Sequence, residues 1–285
     1  MRPSLLAVAV VAASAAPLFA QSKAELPTGD CGEVVAVETH GRTTTRYALA
    51  QPKEASKEGR AALVLLPGGG GHLDLDGKGC VRALKGNFLV RSLALFHGAG
   101  FSTALVDAPS DHPGEDGLRG FRIAPQHADD LGKVIADVRR RAQAPVWVVG
   151  TSRGTISAAN AAARLAGPHA PDGVVLTSAI TSGGSGGRRP WAAQTVFDLR
   201  LEAIAAPVLV VGHAADHCPR TPAGLMGQIT ARTNGAREQV VTVSGGPGGR
   251  YAGLEACQGR TPHGFLDQEA AVVAGIARFI RGGRY

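Results

Sequence analysis

Pro145-Val146-Trp147-Val148-Val149-Gly150-Thr151-Ser152-Arg153-Gly154 is a short apolar run that ends in a serine set between two glycines. The run starts at a proline and is too short for a helix, so it reads as a strand buried on both faces. The alanine-rich stretch 153–165 reads as the helix that follows. Between them, Gly150-Thr151-Ser152-Arg153-Gly154 has the form G-x-S-x-G. In a strand-to-helix turn, the glycines let the backbone bend sharply and lift the serine hydroxyl clear of the sheet edge. The helix N-terminus behind it favours developing negative charge. Taken alone, the same residues also fit a glycine-rich turn in which Ser152 merely caps the helix. Its partners decide between the two.

Outward from this point the pattern repeats. Upstream, 34–39 and 43–49 are β-rich runs separated by His40-Gly41-Arg42, which reads as a hairpin. The apolar strand 61–66 ends at Pro67 and four glycines, and Asn87 is placed to cap a helix over 87–97. A strand over 102–106 and a helix over 126–141 lead into the quoted stretch. Downstream come strands over 173–176, 207–211 and 239–243, a helix over 224–232, and an amphipathic helix over 268–281. Two hairpin strands followed by six alternating strand and helix units predict a mostly parallel eight-stranded α/β sheet with helices on both faces. No repeat or linker divides 21–285, which reads as one domain.

A serine hydroxyl needs an adjacent base to become a nucleophile. In a G-x-S-x-G fold of this kind the chain order is serine, acid, histidine. Asp216 follows strand 207–211 in Gly212-His213-Ala214-Ala215-Asp216-His217-Cys218-Pro219, at the carboxyl end where catalytic groups gather. The rival position after strand 173–176 reads Thr177-Ser178-Ala179-Ile180 and holds no carboxylate. His263 is the only histidine beyond His217. Ser152, Asp216 and His263 are therefore the expected nucleophile, acid and base. The oxyanion of an acyl-transfer reaction needs backbone donors. One is expected from the N–H of Arg153, the other from Gly69 or Gly70, where no side chain blocks approach. His213, Asp216, His217 and Cys218 also admit a metal reading. Two histidines four apart share a face only on a helix, and Pro219 argues for a loop, so no metal is expected.

Together, the strand order, LLPGGGGH, GTSRGT, the Asp-bearing loop and PHGF resemble the α/β-hydrolase superfamily over nearly the whole mature chain. The resemblance implies a Ser-Asp-His triad and no cofactor. Pro67 stands where many esterases of that fold carry the histidine of HGGG. The stretch 178–206 is too short for a cap domain and reads as a loop at the site rim, with Arg188, Arg189 and Trp191. Trp191 and Phe197 equally suit plain packing. The leading expectation is hydrolysis of a small-molecule carboxylic ester through an acyl-serine. Amide or peptide cleavage on the same triad, and a non-catalytic binding protein on a hydrolase scaffold, are the alternatives.

Composition agrees with an exported globular enzyme. Hydrophobic residues make up 44% and charged residues 19%, so a packed core is affordable without a membrane span. Arg2, the apolar run 5–16 and Pro17-Leu18-Phe19-Ala20 read as a signal peptide over 1–20, cleaved before Gln21. No later segment is long and apolar enough for membrane insertion. The net charge of +7 is scattered rather than striped with aromatics, which argues against nucleic acid. The four cysteines suit two disulfides in a secreted or periplasmic protein. A triad requires the Asp216 and His263 loops to meet, so Cys218 is predicted to pair with Cys257, leaving Cys31 for Cys80.

Overall fold

The computed structural model describes residues 31–52, 60–184 and 189–285. The expected leader, 1–20, and Arg188 lie outside them. Eight strands form one sheet: β1 (Glu33–Glu38), β2 (Thr44–Ala50), β3 (Ala62–Leu66), β4 (Ser102–Val106), β5 (Val146–Thr151), β6 (Gly173–Thr177), β7 (Val208–His213) and β8 (Glu238–Val243). Their spatial order is β1-β2-β4-β3-β5-β6-β7-β8. The 3₁₀ turn His40–Arg42 is short enough to join only antiparallel neighbours, and β2 meets β4 antiparallel as well. Every pairing from β3 to β8 is parallel, because each connection, helical or not, crosses back to the same end of the sheet. The mostly parallel α/β sheet expected from the sequence is the one observed.

Alternation along each strand splits the core in two. Ala62, Val64, Leu66, Val146, Val148, Val208 and Val210 face one layer, which includes Leu131, Val134, Ile135 and Val138 of α3 (Pro125–Ala142) and Ile156 of α4 (Gly154–Arg164). Leu63, Leu65, Trp147, Val149, Leu209 and Val211 face the other, with α1 (Phe88–Arg91), α2 (Leu93–Gly98) and α6 (Glu269–Ile280). Strands buried on both faces explain why β3, β5, β6 and β7 read as unbroken apolar runs.

Two helices differ from expectation. The stretch 87–97 is broken at Ser92, whose φ of −95° and ψ of 3° leave the helical region, although Asn87 caps α1 by accepting the Leu89 N–H at 3.0 Å. The stretch 224–232 yields only a 3₁₀ turn, Ala223–Leu225, and a single turn, α5 (Gly227–Thr230). Gly224 and Gly227 lower helix propensity there by about 1 kcal/mol each relative to alanine. The rim segment contains only short 3₁₀ turns, Pro190–Ala193, Val196–Asp198 and Leu201–Ala203, and no α-helix among the described residues.

Both disulfides form as predicted, with Cα separations of 4.9 Å for Cys31–Cys80 and 4.7 Å for Cys218–Cys257. Because β3, β5, β6 and β7 run parallel, the loops at their carboxyl ends collect on one edge of the sheet.

Candidate active site

Ser152 sits on a strained turn. Its φ is +52°, in the left-handed region, and its N–H donates to the Thr177 carbonyl at 2.9 Å. Both flanking glycines are forced by close approach. A Cβ at Gly150 would lie 2.5 Å from the Gly154 carbonyl oxygen, and one at Gly154 would lie 2.0 Å from that of Leu66. No side chain fits at either place, which is the physical content of G-x-S-x-G here.

Asp216 and His263 meet in the interior. His263 Nδ1 lies 2.9 Å from Asp216 Oδ2, with side-chain exposures of only 4% and 1%. A carboxylate oxygen has no proton to give, so Nδ1–H donates and Nε2 is left as the acceptor of the neutral ring. His263 Nε2 is buried and has no hydrogen-bond partner among the described residues. His263 borders the same cleft as Ser152. The carboxylate is fixed by the Cys218 N–H at 2.9 Å and by the Thr221 hydroxyl, which donates to Oδ2 at 2.8 Å. The Ser178 hydroxyl donates to the His263 carbonyl at 2.7 Å, holding the imidazole loop against the end of β6.

The glycine run after β3 separates into two roles. A Cβ on Gly68 would come within 2.8 Å of Ser152 Cβ, and Gly69, at φ +58°, lines the cleft with Ser152. Gly70 does not line it. Its carbonyl accepts the Leu118 N–H at 2.8 Å, and a Cβ there would meet the Glu115 carbonyl oxygen at 2.2 Å. Of the two expected glycines, only Gly69 lines the cleft of Ser152. Neither its N–H nor that of Arg153 donates to a backbone carbonyl among the described residues.

Three further side chains support this arrangement without having shown in the sequence. Arg122, wholly buried, donates to the Pro67 and Gly69 carbonyls at 3.1 and 3.2 Å and to Ser157 Oγ at 2.8 Å. No carboxylate pairs with it among the described residues, and burial, followed by the charge of Arg153, holds its pKa well below the usual guanidinium value. Arg91 donates to the Gly259 and Gly264 carbonyls at 2.6 and 2.9 Å and pairs with Glu269, tying α1 and α6 to the loop of His263. Thr221 is the third. Each contacts residues far away in the chain, and nothing in its neighbouring sequence marks it.

On the rim, the Arg153 guanidinium lies 3.9 Å over the Trp191 ring and donates to the Arg119 carbonyl at 2.8 Å. Burial, then the charge of Arg220, brings its pKa down to about 10. Phe197 packs against the core instead. The metal reading around Asp216 fails on chemistry. Cys218 is in a disulfide, and both ring nitrogens of His213 are engaged, with Gln268 at 2.7 Å and the Ala215 N–H at 3.0 Å.

No protein-family profile and no curated protein matches the chain. Solved structures do. A cold-adapted esterase from an Arctic intertidal metagenomic library is 16% identical, with a TM-score of 0.56, covering 88% of this chain and 93% of its own. Dienelactone hydrolase from Anabaena variabilis is also 16% identical, with a TM-score of 0.53 and coverage of 89% and 99%. An alpha-beta serine hydrolase homologue from Coxiella burnetii is 17% identical, with a TM-score of 0.53 and coverage of 85% and 95%. At such identities the likeness is one of fold.

Proposed function

From the α/β-hydrolase fold of this chain as premise, we propose that it is an exported serine hydrolase that cleaves carboxylic esters through an acyl-serine intermediate. The observation that carries this reading is the buried Asp216–His263 pair, with an unpartnered Nε2 on a histidine that lines the same cleft as Ser152. Ser152 Oγ attacks the ester carbonyl while His263 Nε2 takes its proton. Asp216 keeps the imidazole in the Nδ1–H tautomer and stabilises the imidazolium that forms. The N–H groups of Arg153 and Gly69 receive the oxyanion. Collapse of the tetrahedral species expels the alcohol, protonated by His263. Water, deprotonated by the same nitrogen, then releases the acid and restores Ser152. Two disulfides support an oxidising compartment, secreted or periplasmic.

A fluorophosphonate probe tests the nucleophile: it should label wild type at Ser152 and leave Ser152→Ala unlabelled. Ester substrates of graded acyl length, run beside matched amides, test the bond. Labelling without turnover of any ester would reject the ester assignment, and absence of labelling would reject the serine.

A further inference from the structure

A second cluster of ligating side chains lies in the turn between β1 and β2 and the loop after β4. His40 Nδ1 is 2.6 Å from Oδ2 of the buried Asp130, and His112 Nδ1 is 3.2 Å from the Gly117 carbonyl oxygen. Phe121 packs against both imidazoles, with ring centres 4.8 and 4.5 Å away. Neither oxygen has a proton to offer, so each Nδ1 is the donor, and each ring in its neutral form carries its remaining lone pair on Nε2. Both Nε2 atoms lie near one carboxylate oxygen. His40 Nε2 is 3.1 Å and His112 Nε2 is 3.8 Å from the same oxygen, Oδ2 of Asp111, and all three atoms lie within 4.8 Å of one another.

Three electron-pair donors do not converge without positive charge among them. Ligand bonds of about 2.0–2.1 Å around a tetrahedral ion set its ligand atoms roughly 3.3–3.4 Å apart. The two observed separations straddle that value. An imidazole whose far nitrogen is held by a carboxylate or a backbone carbonyl is the usual outer-shell arrangement of a metal-bound histidine. We propose that His40 Nε2, Asp111 Oδ2 and His112 Nε2 bind a divalent transition ion of the zinc class, with water completing the shell.

Such an ion would clip the β1–β2 hairpin to the loop that backs the glycine run. Gly117 lies against the Gly70 carbonyl, which accepts the Leu118 N–H at 2.8 Å. The site would therefore brace the oxyanion loop from behind without entering the cleft. The inference does not depend on the proposed hydrolysis.

Chelator-stripped protein titrated with Zn²⁺ in a calorimeter, with the thermal midpoint followed in parallel, tests it. One equivalent should bind, and the midpoint should rise and return on adding chelator. Asp111→Asn, at an exposed position, should abolish the response while keeping the metal-free midpoint; His112→Ala should abolish it too, from a metal-free midpoint lowered by the lost contacts with Phe121 and the Gly117 carbonyl. Asp130→Asn, which leaves all three ligands in place, should weaken affinity about 10- to 100-fold. No heat and no midpoint shift would overturn the proposal, leaving a proton as the charge between the imidazoles. So would binding that survives intact in both Asp111→Asn and His112→Ala.

Discussion

Ser152 occupies a backbone conformation that costs about 1–3 kcal/mol for a residue other than glycine. The turn keeps it there because Gly150 and Gly154 leave no room to relax. Ser152→Ala keeps a Cβ, so the strain and the fold are unchanged while the oxygen proposed to attack is lost. Ester turnover should fall by roughly 10⁵–10⁶-fold in kcat, with stability within about 0.5 kcal/mol of wild type. Kinetics and a denaturation curve on the same sample check both halves. Asp216 differs in kind, since in the proposed mechanism it acts through His263. Asp216→Asn can still accept from the Cys218 N–H, but an amide nitrogen turned toward Nδ1 forces the wrong tautomer. The expected loss is about 10⁴-fold in kcat with little change in KM. A variant with undiminished kcat would remove Asp216 from the mechanism.

At the scale of elements, the site is made where loops from separate strands are fastened together. Cys218–Cys257 joins the loop of Asp216 to the approach to His263, whereas Cys31–Cys80 joins the segment before β1 to the loop after β3. Each bond should contribute about 2–4 kcal/mol to stability. Only the first should matter for turnover. Replacing Cys218 and Cys257 by serine should lower kcat more than replacing Cys31 and Cys80, even where the two variants lose equal stability. Equal kcat in both would refute a bracing role. Arg122 does the corresponding work for the glycine loop. In Arg122→Met the Pro67 and Gly69 carbonyls lose their donor. We expect kcat to fall about 10- to 100-fold, a loss of one to two hydrogen bonds' worth of positioning, with KM changed much less. Arg122→Lys should recover part of it. Equal losses in kcat and stability, with no recovery by lysine, would mark Arg122 as structural alone.

For the whole molecule, the interior beneath the glycine loop carries a pH signature. His127 is buried, with Nε2 2.8 Å from Ser157 Oγ, and burial, followed by the charge of Arg122, brings its pKa down from 6.5 to about 3. Between those values the unfolded chain binds one proton more than the folded chain. Stability should therefore be lost as pH falls below about 6.5, by up to roughly 1.4 kcal/mol per pH unit, and this contribution should level off near pH 3. Urea denaturation from pH 4 to 7 should show a slope shallower by about one proton in His127→Gln; an unchanged slope would place the acid sensitivity elsewhere. The strand and helix alternation, the G-x-S-x-G turn and the meeting of the Asp216 and His263 loops were all legible in the chain alone. They rest on local periodicity and on chain order, and both disulfides followed from requiring two of those loops to meet. The break at Ser92 was not legible, because helix length depends on packing more than on propensity, whereas the shortening of 224–232 was signalled by Gly224 and Gly227 and went unread. Only the tertiary structure decided that Gly69 rather than Gly70 lines the Ser152 cleft, that Arg122, Arg91 and Thr221 hold its loops, and that His40 meets Asp111 across 71 residues. Those contacts join positions as far apart as Arg91 and Glu269, separated by 178 residues. Sequence patterning reports which face of an element is buried, not which distant side chain it will find there.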